Sequence, residues 1–415
     1  MWPPGGMAVL ARMSGWKFRL WMTLAVALVL RLGLALEVQR RVSQTPGRLC
    51  LIDGDAEGYW ILAGKIADGD EYSIFNPPRR LLRMPGFPLL LAIPRLIFGN
   101  FPPAARILLA LVGTLTCGLT YWLGCELADE TVGFYAALYT ALSPTMLIFS
   151  VLFLSETAFA AALLASFIAA AKLLRCGRHA LLTGCLIGVA TYMRPTWLLV
   201  GPGIAIVTLL FGNGSLRSRA VAAILVGFGL CLVMAPWTIR NAVVTGHAIP
   251  TTLWVGPSLY DGLNPTFTGD SNMEFFEQDQ LLEKMSEYDM DREYRRRAWD
   301  FAARNPGQVV SLAVTKQLRY WSPAPNSPQF DHPAIFVIAW LAYIPLIGFS
   351  ALGAWSVRHN LRRLILTAAP VFYFAALHLL FVGSLRYRLP AEYPLSILAA
   401  VGLTGFGRRC AVVRE

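Results

Sequence analysis

Nine stretches of this chain, at about residues 18–36, 104–125, 131–149, 153–174, 196–212, 218–236, 333–355, 364–382 and 389–407, are apolar over close to 20 residues, the length an α-helix needs to cross a bilayer. Two shorter runs lie at 86–99 and 179–193. Lipid offers backbone groups no hydrogen-bond partner, so such runs must satisfy their own amides and fold as helices. Hydrophobic residues make up 56% of the 415, charged residues only 15%, and mean hydropathy is +0.52, beyond what a soluble fold of this size needs. The expectation is an all-α polytopic membrane protein of about 10–11 transmembrane helices, with an interfacial helix in the first loop and a helical outer segment. The first run lacks a small-residue cleavage site and reads as an anchor, with Arg31 snorkelling to the surface.

A net charge of +11 and pI near 9.5 fit nucleic-acid binding poorly, because the basic residues fall in short turns between apolar runs. The positive-inside bias places Arg12, Lys17 and Arg19, Arg175 and Arg178, Arg217 and Arg219, Arg358 to Arg363, and Arg408 and Arg409 on the cytoplasmic side. Residues 37–85 and 238–332 then face outward, which divides the chain into a membrane module 1–237, an outer segment 238–332 and final helices 333–415. That count leaves the 86–99 run one crossing too many, so it reads as a partial or tilted helix. The seven cysteines form no CxxC pair and mostly sit in apolar runs, and the five histidines show no metal-ligand spacing. No zinc site and no disulfide framework are expected.

Charge at membrane boundaries is the exception in such a chain. Asp53-Gly54-Asp55-Ala56-Glu57-Gly58-Tyr59 follows the first run and Arg386-Tyr387-Arg388-Leu389-Pro390 precedes the last. Charge there costs solvation energy unless it is wet, paired or liganded, so the two clusters point to one shared site. Ala56, Tyr59, Trp60, Ala63 and Ala67 recur at helical spacing, and Asp68-Gly69-Asp70 breaks the pattern. Carboxylates at the start of that helix stay ionised and could act as a base, or Asp53 or Asp55 simply caps it. Arg83-Met84-Pro85-Gly86-Phe87-Pro88 then sets the chain direction into the bilayer, with Arg83 either a lipid-phosphate anchor or part of a site.

Elsewhere the residues leave two readings open. Glu156 is a buried ion-pair partner or a substrate contact, Arg194 before Pro195 a headgroup-level helix end or a site residue. Pro236-Trp237 reads as an interfacial break, with Arg240-Asn241 beyond it facing water or the site. Residues 272–304 alternate apolar and charged positions as a wet amphipathic helix does, and Asn305-Pro306 starts another reaching about Tyr320. Its Val309, Val310, Leu312, Ala313 and Leu318 should meet apolar surface, and Lys316 and Arg319 water or headgroups.

Six motifs in order resemble the membrane-embedded C-type glycosyltransferases that use polyprenyl-phosphate sugars, including dolichyl-phosphate-mannose protein mannosyltransferases and the aminoarabinose transferase of lipid A. They are Asp55 to Tyr59, Arg83 to Pro88, Leu154-Ser155-Glu156, Met193-Arg194-Pro195, Pro236 to Asn241 and Arg386 to Pro390. The resemblance covers most of the chain. It implies an inverting transfer of sugar from a polyprenyl phosphate to a lipid, glycan or protein hydroxyl on the outer face. Asp55 aligns best with the family acid that serves as base, Asp53 second and Glu57 third. Many relatives carry adjacent Asp-Glu where this chain alternates its acids, so the choice among the three stays open. Arg386 and Arg388 lead as phosphate ligands, with Arg83 and Arg240 behind them and Tyr59 and Glu156 as further substrate contacts. No cofactor is obligatory, although first-loop carboxylates could hold a divalent cation weakly. The compact chain suggests a bacterial cytoplasmic membrane. A lipid or sugar transporter, or a polysaccharide polymerase or ligase of another multi-span type, is the rival reading.

Overall fold

The computed structural model describes residues 15–412 except 46, 52, 53, 268 and 325–331, and among these it contains helices and no named strand. We number the α-helices α1 (Gly15–Ser43), α2 (Asp55–Asp68), α3 (Gly86–Phe98), α4 (Pro102–Leu127), α5 (Glu130–Leu142), α6 (Pro144–Phe149), α7 (Glu156–Cys176), α8 (Ala180–Met193), α9 (Val200–Phe211) and α10 (Leu216–Thr245). Then come α11 (Val255–Gly262), α12 (Glu274–Asp279), α13 (Leu281–Lys284), α14 (Glu287–Arg304), α15 (Pro306–Trp321), α16 (Pro333–Ser356), α17 (Leu361–Thr367), α18 (Ala369–Leu377) and α19 (Leu385–Val412).

The expected fold class holds. Six described helices, α1, α4, α7, α10, α16 and α19, are long and apolar enough to cross a membrane. Shorter apolar helices at Gly86–Phe98, Ala180–Met193 and Pro195–Phe211 fill in beside them. The runs at 131–149 and 364–382 are each split, at Ser143-Pro144 and at Ala368. The chain is an integral multi-pass membrane protein.

Small residues let the helices meet at backbone distance. A Cβ on Gly353 of α16 would overlap the Leu398 carbonyl of α19, and one on Gly402 would overlap the Phe349 carbonyl in return. Between α8 and α10, Gly184 and Gly229 face the Val226 and Leu181 carbonyls in the same way. In lipid, where apolar side chains gain nothing by leaving solvent, such close approach is what binds helices together.

Arg31 corrects the snorkelling expectation. It is fully buried, and its guanidinium donates to the carbonyls of Ala27 and Thr140, the latter at 3.0 Å. The break before Pro144 leaves the last carbonyls of α5 without helical partners, and a charge inside the bundle satisfies them more cheaply than it could reach water.

Both ends of the bundle can be followed through contacts. Arg175 in the last turn of α7 pairs with Glu126 of α4 at 3.0 Å, and Arg362 donates to the Phe211 carbonyl and the Asn213 side chain. At the other end the first loop and the long segment after α10 clasp each other. Glu287 at the start of α14 accepts from the backbone amides of Arg80 and Leu81, both at 3.0 Å, and the Leu253 amide donates to the Leu81 carbonyl. The continuous helix expected over 272–304 is three helices, α12 to α14, and α10 runs on to Thr245 before the segment begins. The helix from Pro306 is as expected.

Candidate active site

Three helices start at the clasped end. Gly54, at φ +84°, turns the chain into α2, so that Asp55 is its first helical residue. Its carboxylate makes no capping bond, which sets the capping reading aside for Asp55. One oxygen is paired with Arg83, and the other lies 2.8 Å from Nη1 of Arg386, in the first turn of α19. Arg386 also gives Nε to Glu156, the first residue of α7, and Glu156 accepts from Nη2 of Arg194 at 2.6 Å. The result is an alternating chain, Arg83, Asp55, Arg386, Glu156, Arg194. Three guanidiniums against two carboxylates leave one positive charge unanswered.

Burial grades along this chain. The Glu156 side chain is 0% exposed, Arg194 12%, and Arg386, Arg83 and Asp55 between 22% and 29%. The pair at Asp55 therefore faces an opening. Burial alone would push the Asp55 carboxyl up, but the Arg83 and Arg386 guanidiniums outweigh it and hold it well below the usual carboxylate range. Arg83 answers in kind, its value raised by Asp55 against the opposite pull of burial.

Local packing holds each member. The Tyr72 hydroxyl donates to the carbonyls of Arg83 and Met84, both at 3.3 Å, and Arg83 lies over the Tyr59 ring at 5.5 Å. Tyr59, one turn after Asp55, is buried edge-on against Phe87. Arg194 donates Nε to the Ser155 hydroxyl and covers the Tyr387 ring at 5.5 Å.

Not every candidate is brought here. Arg388 is buried on the far side of α19, with Nε 2.6 Å from Glu392 and its other nitrogens on the carbonyls of Tyr320 and Ser322. Because α19 begins at Leu385, ahead of the expected 389, Arg386 and Arg388 sit two residues apart on a helix and point in opposed directions. Glu57 is turned from Asp55 by the same rule and is exposed. Arg240 braces the first loop instead, donating to the carbonyls of Arg80 at 3.0 Å and Tyr72 at 3.2 Å. Asp53 lies outside the described residues. Among those described, no group of three or more His, Cys, Asp or Glu side chains converges as a metal site would need. Arg194 and Tyr387 are members that sequence reasoning ranked low or passed over. The signals for Arg194 were a charge before a proline at the end of an apolar run, which a plain helix end shows equally, and its place in the Met193-Arg194-Pro195 motif of the resemblance.

The same arrangement of helices occurs in solved membrane enzymes. The archaeal oligosaccharyltransferase AglB from Archaeoglobus fulgidus, in complex with an inhibitory peptide and a dolichol-phosphate, superposes with a TM-score of 0.60 at 14% identity over 96% of this chain. ArnT from Cupriavidus metallidurans bound to undecaprenyl phosphate gives 0.55 at 18% identity over 97%. This is the C-type glycosyltransferase fold. The profile of the dolichyl-phosphate-mannose-protein mannosyltransferase family matches residues 82–239, which carry four of the six motifs: Arg83 to Pro88, Leu154 to Glu156, Met193 to Pro195 and most of Pro236 to Asn241. No curated protein sequence matches the chain significantly. The chain spans 51% of the length of AglB and 61% of that of ArnT.

Proposed function

We propose that this protein transfers a sugar from a polyprenyl phosphate to a hydroxyl of a lipid, glycan or protein, with inversion, on the outer face of a bacterial cytoplasmic membrane. The observation that carries this reading is Asp55 held between Arg83 and Arg386 at a partly open site. An acceptor oxygen attacks C1 of the sugar, the bond from C1 to the phosphate oxygen breaks, the acceptor proton passes to Asp55, and polyprenyl phosphate leaves as an anion. One displacement on one face inverts the anomeric centre.

Each residue then has a task that its geometry suits. Arg83, Arg194 and Arg386 offer planar forks to the phosphate oxygens and stay charged at any working pH. The starts of α2, α7 and α19 add their amide dipoles to the same region. A phosphate that draws on Arg83 and Arg386 loosens their hold on Asp55, so donor binding itself makes the carboxylate basic enough to take a proton. Glu156, buried beneath, holds both Arg194 and Arg386. With guanidiniums stabilising the leaving group, no cofactor and no cation is required.

The lipid carriers in the AglB and ArnT structures fit such a donor. The basic residues Arg175, Arg219 and Arg362 gather at the end of the bundle away from the site, which by the positive-inside bias supports an outer-face site. The test is Asp55→Asn in purified protein with synthetic polyprenyl-phosphate sugars. Loss of transfer with retained donor binding is expected; undiminished transfer rejects Asp55 as the base, and failure of the wild type to bind any such donor rejects the reading.

A further inference from the structure

Arg194 and Arg386 have to be aimed, and the material that aims them lies outside the ion-pair chain. Behind Arg194 stands a column of stacked rings. Its guanidinium lies over the Tyr387 ring at 5.5 Å, and that ring is also stacked on His378, centroids 4.4 Å apart and planes 18° from parallel. His378 is in turn stacked on Tyr320 at 5.9 Å and 22°. Tyr320 cannot shift, because its hydroxyl donates to the Val371 carbonyl at 2.7 Å and its own carbonyl is held by Arg388.

The turn between α18 and α19 is fastened at the same place. His378 Nδ1 donates to the Val382 carbonyl at 2.6 Å, closing the turn that delivers Arg386. Lys316 of α15, expected in water, is fully buried instead, and its ammonium caps the carbonyls of Leu379 at 3.2 Å and Leu380 at 2.8 Å. Gly383 passes so close that a Cβ there would overlap the Lys316 carbonyl.

We infer that His378 is a positioning residue for the phosphate clamp, a flat wedge packed against Tyr320 and Tyr387 that holds the turn leading into Arg386 chiefly by stacking, with its hydrogen bonding to that turn secondary. It touches neither donor nor acceptor and moves no proton. The role rests on the reading of Arg194 and Arg386 as phosphate ligands, while the geometry it imposes can be measured without any transfer.

The experiment compares His378→Ala and His378→Phe in the full chain, in nanodiscs. Amide hydrogen exchange over residues 378–390 tests the wedge directly. The alanine variant should exchange faster there, and phenylalanine, which keeps the stack and loses the hydrogen bond, should restore most of the protection. With polyprenyl-phosphate sugar as substrate, alanine should raise donor KM about tenfold, the scale of one lost stacking contact, with phenylalanine again restoring most of it and the pH profile of kcat unmoved in both. Unchanged exchange in the alanine variant overturns the wedge. Faster exchange with unchanged donor KM overturns the link to the clamp, and a shifted pH profile overturns the claim that His378 carries no proton. If the wild type transfers no sugar, exchange still decides the wedge while the phosphate reading fails separately.

Discussion

Arg386 places Nη1 2.8 Å from Oδ2 of Asp55, joining the first turn of α19 to the first turn of α2. Arg386 is shared, because its Nε is given to Glu156. A guanidinium divided between two carboxylates can release one for a phosphate and remain fixed by the other.

The pH dependence follows from that division. In the free protein Asp55 is held below the ordinary carboxyl value of about 3.9. The pair therefore stabilises the fold at neutral pH, and this contribution fades only as pH falls below that ordinary value toward the folded one. On the proposed reading, donor phosphate takes over Arg83 and Arg386, and the Asp55 carboxyl should then rise. The acid limb of kcat, which reports the bound state, should thus lie at higher pH than the acid limb of kcat/KM, measured over about pH 4 to 8. Coincident limbs would disconnect Asp55 from the arginines during turnover.

Glu156 carries a larger penalty than its neighbours. It is 0% exposed and answers two guanidiniums. Glu156→Gln leaves Arg194 and Arg386 short of a countercharge inside the protein, and a broken buried pair costs about 3–5 kcal/mol. Thermal unfolding in detergent should show a marked drop, whereas Glu57→Gln, at an exposed position, should leave both the melting temperature and transfer unchanged.

Arg388 and Glu392 form a buried pair away from the clamp. Arg388→Ala should destabilise the fold by several kcal/mol, and the double replacement R388M/E392L should recover part of the loss, because two apolar residues leave no charge uncompensated. The measurement is a double-mutant cycle on unfolding midpoints; additive losses would mean that the two side chains are not coupled.

Treatment with a chelator should leave transfer undiminished. Both Asp55 oxygens are engaged by guanidiniums, and on the proposed reading Arg83, Arg194 and Arg386 supply the leaving phosphate with stabilising charge without a cation. Loss of activity in EDTA that Mg²⁺ or Mn²⁺ restores would replace this account with a metal-assisted one.

Gly402→Ala tests the packing that carries Arg386. A methyl there meets the Phe349 carbonyl of α16, and overpacking of this kind costs about 1–3 kcal/mol. A lowered melting temperature is expected, and an unchanged one would show that α16 and α19 can move apart freely.

Reading the apolar runs, the first-loop helix and the break at Asn305-Pro306 required no structure, because each follows from local constraint. A run of about 20 apolar residues has one low-energy form in lipid, and Gly69 takes at the C-terminal cap of α2 the left-handed conformation, φ +74°, that commonly ends a helix and that glycine adopts without strain. The meeting of early acids and late arginines was also legible, since charge at a membrane boundary needs a partner.

Which members of each cluster meet was decided by the tertiary fold. Residue type is the same at Arg386 and Arg388, and nearly so at Asp55 and Glu57; helical phase separates them, and phase depends on where α2 and α19 begin. Arg31 and Lys316 show the same limit, because neighbouring carbonyls from a broken helix and a tight turn made burial cheaper than exposure. Sequence by itself determined that this chain must be a helical membrane protein with opposite charges seeking each other; the packing of helices distant in the chain chose which of those charges share a site, because a side chain's partner depends on the face it is turned to as well as on its chemistry.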